Sequence, residues 1–124
     1  MGRLVLTNAT RGTTVAERVA SATTFWARFR GLMGRATLAP DGGLWLPETS
    51  SIHMMFMRFP IDCAFLSKPD GTGTSRVIAV RHGLPPWRGV VWWVRGAGGV
   101  VELPNGALAE SGTEPGDTVQ LIAA

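Results

Sequence analysis

The sequence predicts a mainly β domain with minor helix, a single compact antiparallel β-sandwich or closed barrel of about 6–8 short strands. Three observations predict it. Sixteen glycines and eight prolines among 124 residues break helical patterns too often for a bundle. Short β-prone runs recur, with turn signals between them every eight to twelve residues or so. The hydrophobic 45% of the chain is concentrated in runs with little clean alternation, so both faces of those strands must be covered. A chain of this length buries roughly two-thirds of its unfolded surface, enough for one domain over 1–124 without a disulfide or a structural metal.

Residues 3–7 and 14–20 read as strands around a Thr/Gly-rich turn from Asn8 to Thr13. A helix is predicted near 23–33. Ser21 or Thr23 can cap it, Phe25, Phe29, Leu32 and Met33 form one buried stripe, and Gly34 can end it in a left-handed conformation. Asp41-Gly42-Gly43 reads as a turn before a brief strand at 44–46, which Pro47 stops. The most apolar stretch, Ser51 to Leu66, divides at Arg58 and Pro60 into strands near 51–56 and 61–66. After a turn over 68–73, residues 75–81 form another strand. Residues 82–89 form a loop made rigid by Pro85-Pro86. Residues 90–94 and 100–103 are β-prone, 106–111 read as a short helix ended by Gly112, and Glu114 to Asp117 turn into a last strand at 118–122.

Charge and cysteine content narrow the function. Eleven of the twelve basic residues are Arg, and with nine acids the net charge is +3. The arginines are spread along the chain without the dense stripe or known module of a nucleic-acid binder, so no nucleic-acid partner is expected. A single cysteine, Cys63, excludes an intrachain disulfide, and its apolar neighbours mark it as a small core residue. No Cys/His spacing fits a zinc site, and no cofactor is implied. Met54, Met55 and Met57 near His53 could interest Cu(I), but a methionine stripe in an apolar β segment reads as core. No apolar run approaches the ~20 residues of a membrane span. The N-terminal run is too short for a signal peptide, so the sequence as written reads as cytoplasmic; a chain stripped of a signal would read the same.

Few polar residues enter the apolar runs, and these are the candidates. If 51–56 and 61–66 pair as a hairpin with Met57 to Pro60 as its loop, His53 lies opposite Ala64 and shares a face with Asp62 at roughly 7–8 Å. A carboxylate there would orient the imidazole, as in a catalytic constellation. It would equally satisfy two buried polar groups in an ordinary core, and a one-residue slip would separate them. Arg58 in the loop could clamp a carboxylate or phosphate, or pin the loop by pairing with Asp62 or Glu102. Arg88 follows Pro85-Pro86-Trp87 and Arg95 follows Trp92-Trp93, so both cations stand beside indoles. If these loops converge they make an aromatic, cationic pocket suited to an anionic small molecule or a sugar acid. Glu102 is the lone acid of an apolar strand, facing outward by alternation or buried against an arginine. There is no nucleophile elbow and no phosphate-binding glycine loop.

Three segments carry a resemblance to a known family: Phe29-Arg30-Gly31-Leu32-Met33-Gly34-Arg35 with Leu38; Ser51-Ile52-His53 through Met57-Arg58-Phe59-Pro60-Ile61-Asp62 to Phe65-Leu66; and Val100-Val101-Glu102-Leu103-Pro104 with Gly106, Gly112 and Gly116-Asp117. In this order they resemble the bacterial and archaeal "domain of unknown function 192" family over about residues 15–122. The resemblance implies a mainly β fold and brings no established activity. Cys63, Ala64, the Trp92-Trp93 pair and the Gly98-Gly99 pair depart from the family's usual residues.

The sequence thus favours a non-catalytic binding or accessory domain for a small polar or anionic ligand held near His53, Arg58, Asp62, Arg88, Arg95 and Glu102. The alternatives are a small hydrolase-like acid–base enzyme using His53 and Asp62, and a protein-interaction module presenting exposed tryptophans.

Overall fold

In the computed structural model the described residues are 3–22, 38–54, 57–91 and 93–123, with His53 described by its backbone alone. The helix expected near 23–33 lies outside them. The chain opens with β1 (Leu4–Asn8) and β2 (Thr13–Ser21). Asn8 builds the turn between them: its Oδ1 accepts the Arg11 amide at 3.0 Å, and its carbonyl accepts the amide of Gly12 at 2.8 Å. Gly12 has φ +68°, the left-handed region that glycine enters without strain. The later strands are β3 (Gly42–Pro47), β4 (Ile52–His53), β5 (Ile61–Leu66), β6 (Thr74–Leu84), β7 (Val90–Val91), β8 (Gly99–Pro104) and β9 (Thr118–Ala123); helix α1 spans Ala107–Ser111.

Seven strands close a barrel in the order β1-β2-β3-β8-β5-β6-β9, and β4 with β7 forms a separate two-stranded ribbon. The barrel is therefore the closed alternative of the expected architecture. It is mixed rather than purely antiparallel, because β2 and β3 pair in parallel, Arg18 opposite Gly42 through Ser21 opposite Trp45. A parallel pair needs a crossover of a dozen or more residues, and residues 22–41 provide one. Two boundaries also shift. Gly42 and Gly43 belong to β3 instead of a turn. Strand β6 continues through His82 to Leu84, where a loop was expected, because those residues extend the ladder to Ile61.

The wall separates two apolar layers. All seven barrel strands contribute to the inner one, which includes Leu6, Val19, Trp45, Ala64, Leu66, Val77, Val101, Leu103, Val119 and Leu121, with Ala107 and Leu108 of α1. That membership identifies it as the lumen, filled by side chains as expected for a barrel of this size. The outer layer joins the opposite faces of β3, β5 and β8 (Leu44, Leu46, Ile61, Cys63, Phe65, Val100) to Ile52, Met54, Met57, Val91 and Val94. The ribbon is thus a cover over one side of the barrel. This explains the missing alternation in β5, whose six residues are all buried: one face meets the lumen and the other meets the cover.

Candidate functional site

Asp62 is fully buried. Alternation along β5 puts it on the lumenal side with Ala64 and Leu66, at the end where α1 sits. Its carboxylate accepts three backbone N–H groups: Gly83 on Oδ1 at 2.8 Å, and Gly106 and Leu108 on Oδ2 at 3.1 and 3.0 Å. Gly106, the N-cap of α1, has φ +99° and no side chain with which to cap the helix. Asp62 supplies that cap from β5, taking up amides that a helix N-terminus leaves without partners. The Gly83 amide belongs to an irregular step of β6, where the register shifts between Ile61 and Cys63. Gly83 sits there at φ +58°, and Asp62 fixes it.

The hairpin expected between 51–56 and 61–66 is not formed. Both edges of β5 are taken, by β6 and β8. Strand β4 pairs instead with β7, Ile52 opposite Val91 and His53 opposite Val90. The segment carrying His53 therefore lies over the outer face of the wall, whereas Asp62 points to the lumen. The physical cause is the supply of partners: β5 gains a full ladder on each side within the barrel, which a two-residue β4 could not replace.

Glu102 is also buried, at 4% exposure. It lies opposite Leu44 on one side and Cys63 on the other, so it faces away from the lumen but under the outer cover. Alternation alone would have read the same orientation as solvent. Burial, with Glu102 and then Asp62 nearby, pushes the Cys63 thiol well above its ordinary range.

The loops bearing the arginines converge in part. The Met54 carbonyl accepts the amides of Trp87 at 2.7 Å and Met57 at 3.1 Å, bringing Arg58 and Arg88, one residue beyond each, to one end of the ribbon. Gly89 permits this, since a Cβ there would stand 2.7 Å from Met54 Cγ. Arg95 belongs to the other end, where the Val94 amide reaches the Ser50 carbonyl at 2.8 Å. All three arginines are exposed.

A cleft of about 460 Å³ opens at the barrel end opposite α1, lined by Trp45, Pro47, Glu48, Ser50, Lys68, Pro69, Ala97 and Gly98. Trp45 is a lumenal residue of β3, and its ring lies directly over Gly99, where any Cβ would overlap the indole. Glu48 stands at the rim with φ +57°, its amide bonded to the Gly98 carbonyl at 2.8 Å. A non-glycine residue held in that region is a common mark of a functional loop. Arg95 lies two residues before Ala97 of the cleft wall. Sequence reasoning missed Trp45, Glu48 and Lys68. The available signal was the Gly98-Gly99 pair, two positions without side chains where another group must approach.

A smaller, polar recess of about 300 Å³ beside α1 is lined by Arg11, His82, Leu108, Ala109, Gly112, Thr113 and Glu114. Its rim is organised by Asp117, whose Oδ2 accepts Arg11 Nε and Asn8 Nδ2, each at 3.0 Å. The Arg11 and Asn8 hydrogen bonds lower the Asp117 carboxyl to about 2. Among the described residues no group of three or more His, Cys, Asp or Glu could hold a metal ion, and no helix is long and apolar enough to cross a membrane.

Comparison with known proteins agrees with this geometry. A "UPF0127 protein" of Thermococcus sibiricus is 34% identical over 119 residues, covering 93% of this chain and 73% of that protein. The crystal structure of a putative transcription regulator from Sinorhizobium meliloti is similar at a TM-score of 0.78 and 25% identity, over 97% of this chain and 92% of that one. A protein of unknown function from Novosphingobium aromaticivorans shares the fold at a TM-score of 0.77 and 22% identity, over 95% and 83% of the two chains. The family described as "Uncharacterized ACR, COG1430" matches residues 6–121, and the chain therefore belongs to this family, DUF192.

Proposed function

We propose that the protein is a non-catalytic binding or accessory domain whose small polar or anionic ligand enters the cleft at the Trp45 end of the barrel. The cleft itself carries the reading. Its volume falls in the range of small-molecule sites, and it combines an apolar floor with a few polar groups. Trp45, Pro47 and Pro69 offer flat apolar surface, Lys68 a cation for a carboxylate or phosphate, and Ser50 and Glu48 hydrogen-bonding groups for hydroxyls. A sugar acid or a similar small carboxylate has this combination. The engagement of both Asp62 oxygens by backbone amides supports a positioning role in the fold over acid–base chemistry with His53.

The relative described as a putative transcription regulator raises nucleic acid as a partner, and we read against it here. Among the described residues the helix, α1, has five residues, too short to occupy a major groove, and the arginines spread along the chain form no dense stripe of the kind a nucleic-acid interface uses.

Titration of isotopically labelled protein with glucuronate and with simple carboxylates tests the proposal. Shifts are expected at the Trp45 indole N–H and the Ala97–Gly98 amides, weakened several-fold in Lys68→Gln. Shifts that cluster elsewhere, no binding at all, or a preference for duplex DNA would overturn it.

A further inference from the structure

Outside the cleft, the ribbon presents an unusual surface. Trp87 is 57% exposed, Trp93 69% and Val90 42%. Large apolar side chains displayed together at this exposure mark an interaction surface. Within the β4–β7 ladder Val90 faces outward while Val91 is buried in the outer layer, and Trp93 faces outward beside buried Val94. Trp87 is held at φ +69°, with its amide on the Met54 carbonyl. Arg58 and Arg88 flank this apolar strip at one end and Arg95 at the other. All three are exposed, and among the described residues none of them has an acidic partner.

We propose that this face of the ribbon is a peripheral docking surface for an anionic lipid bilayer. Indoles favour the headgroup level, where an apolar ring and a polar N–H are both accommodated. Arginines at both ends of the strip can take lipid phosphates while the tryptophans enter the interfacial layer. Charge complementarity sets the occupant: three exposed cations with no ion pair among the described residues call for an anionic partner, and the apolar strip calls for more than a soluble anion. The protein would lie on the membrane by this face, without spanning it. The proposal is independent of the ligand assigned to the cleft.

Co-sedimentation with vesicles of phosphatidylcholine alone, or mixed equally with phosphatidylglycerol, tests it, with tryptophan emission as a second readout. Binding is expected to the mixed vesicles only, to weaken with salt, and to shift the emission to the blue. Each arginine near an anionic surface contributes about fivefold, so the triple variant Arg58→Gln, Arg88→Gln, Arg95→Gln should bind on the order of a hundredfold more weakly. Trp93→Ser, and Trp87→Asn with a residue that tolerates positive φ, should remove the blue shift, Trp93→Ser without lowering the melting temperature. Absence of vesicle binding, equal binding to both vesicle types, or binding unchanged in the arginine variant would overturn the proposal. So would full competition by inorganic phosphate, which would mark a free-anion site, or selective binding of polyglutamate, which would mark an acidic protein partner.

Discussion

Replacing Asp62 by asparagine tests the buried anchor with almost no change in volume. The carboxylate accepts from Gly83 on one oxygen and from Gly106 and Leu108 on the other. An asparagine can turn its single oxygen toward the pair from α1, and its NH2 then faces the Gly83 amide, donor against donor. Hydrogen bonds to a charged acceptor contribute ~1.5–3 kcal/mol and a buried unsatisfied donor costs ~1–3 kcal/mol. With the strain of two opposed donors relieved only in part, Asp62→Asn should destabilise by about 2–4 kcal/mol. For a chain of this length that lowers Tm by roughly 8–15 °C. Asp62→Ala, which abandons all three amides, should cost more. Urea unfolding followed by far-UV circular dichroism gives the stability. Native-state hydrogen exchange should show lost protection at Gly83 in the asparagine variant, and at Gly83, Gly106 and Leu108 in the alanine one. An Asp62→Asn protein within about 0.5 kcal/mol of the parent, with unchanged protection at those amides, would refute the anchoring argument.

Three further outcomes follow from the same geometry. Gly99→Ala places a Cβ inside the Trp45 ring and should destabilise by about 3 kcal/mol; the cost should shrink when Trp45→Leu is combined with it, as a double-mutant cycle by urea unfolding will show. Asp117, lowered to about 2 chiefly by Arg11 and then Asn8, binds its proton more readily in the unfolded chain. Its contribution to stability is therefore complete above about pH 4 and is lost as pH falls toward 2, and in acid melts Asp117→Asn should flatten that window. The Cys63 thiol, raised by burial and neighbouring carboxylates, should resist a thiol reagent at pH 8 in the native protein and react once urea unfolds it; fast native labelling would contradict its placement in the outer layer.

The strands were legible where local rules decide them. The β1–β2 turn follows from Asn8 and Gly12, α1 from Gly106 to Gly112, and both faces of 61–66 are buried as its lack of clean alternation required. What local rules could not decide was pairing. A run such as Ser51 to Leu66 looks like one hairpin because its halves are adjacent in sequence. Only the closed barrel shows that β5 is claimed on both edges and that β4 must find β7. The expected nearness of His53 to Asp62 rested on that hairpin. Asp62 and His53 were joined by an assumed register, and the parallel β2–β3 step had no local signature at all. Glu102 taught a related lesson: its orientation away from the lumen was readable from alternation, but its burial depended on a cover drawn from distant segments. The cleft around Trp45 was hidden for the same reason, since its lining comes from three separate stretches of chain.

Barrel size also limits where a ligand can go. Seven strands enclose a lumen that Leu6, Val19, Trp45, Leu66, Val77 and their neighbours fill, so the interior is taken up by packing. A site must then lie at an end or on the outside. One end is stoppered by α1, and Asp62 holds the stopper by its first turn, so opening there would sacrifice the anchor. At the other end Gly98 and Gly99 withhold side chains, and Trp45 turns its ring over the gap instead of a second layer of aliphatic groups. On the outside, the cover buries Val91 and Val94 while turning Val90 and Trp93 to solvent. Among the described residues the packing that closes the core thus leaves the Trp45 cleft at one end and the outward face of the ribbon as the surfaces the two proposals use.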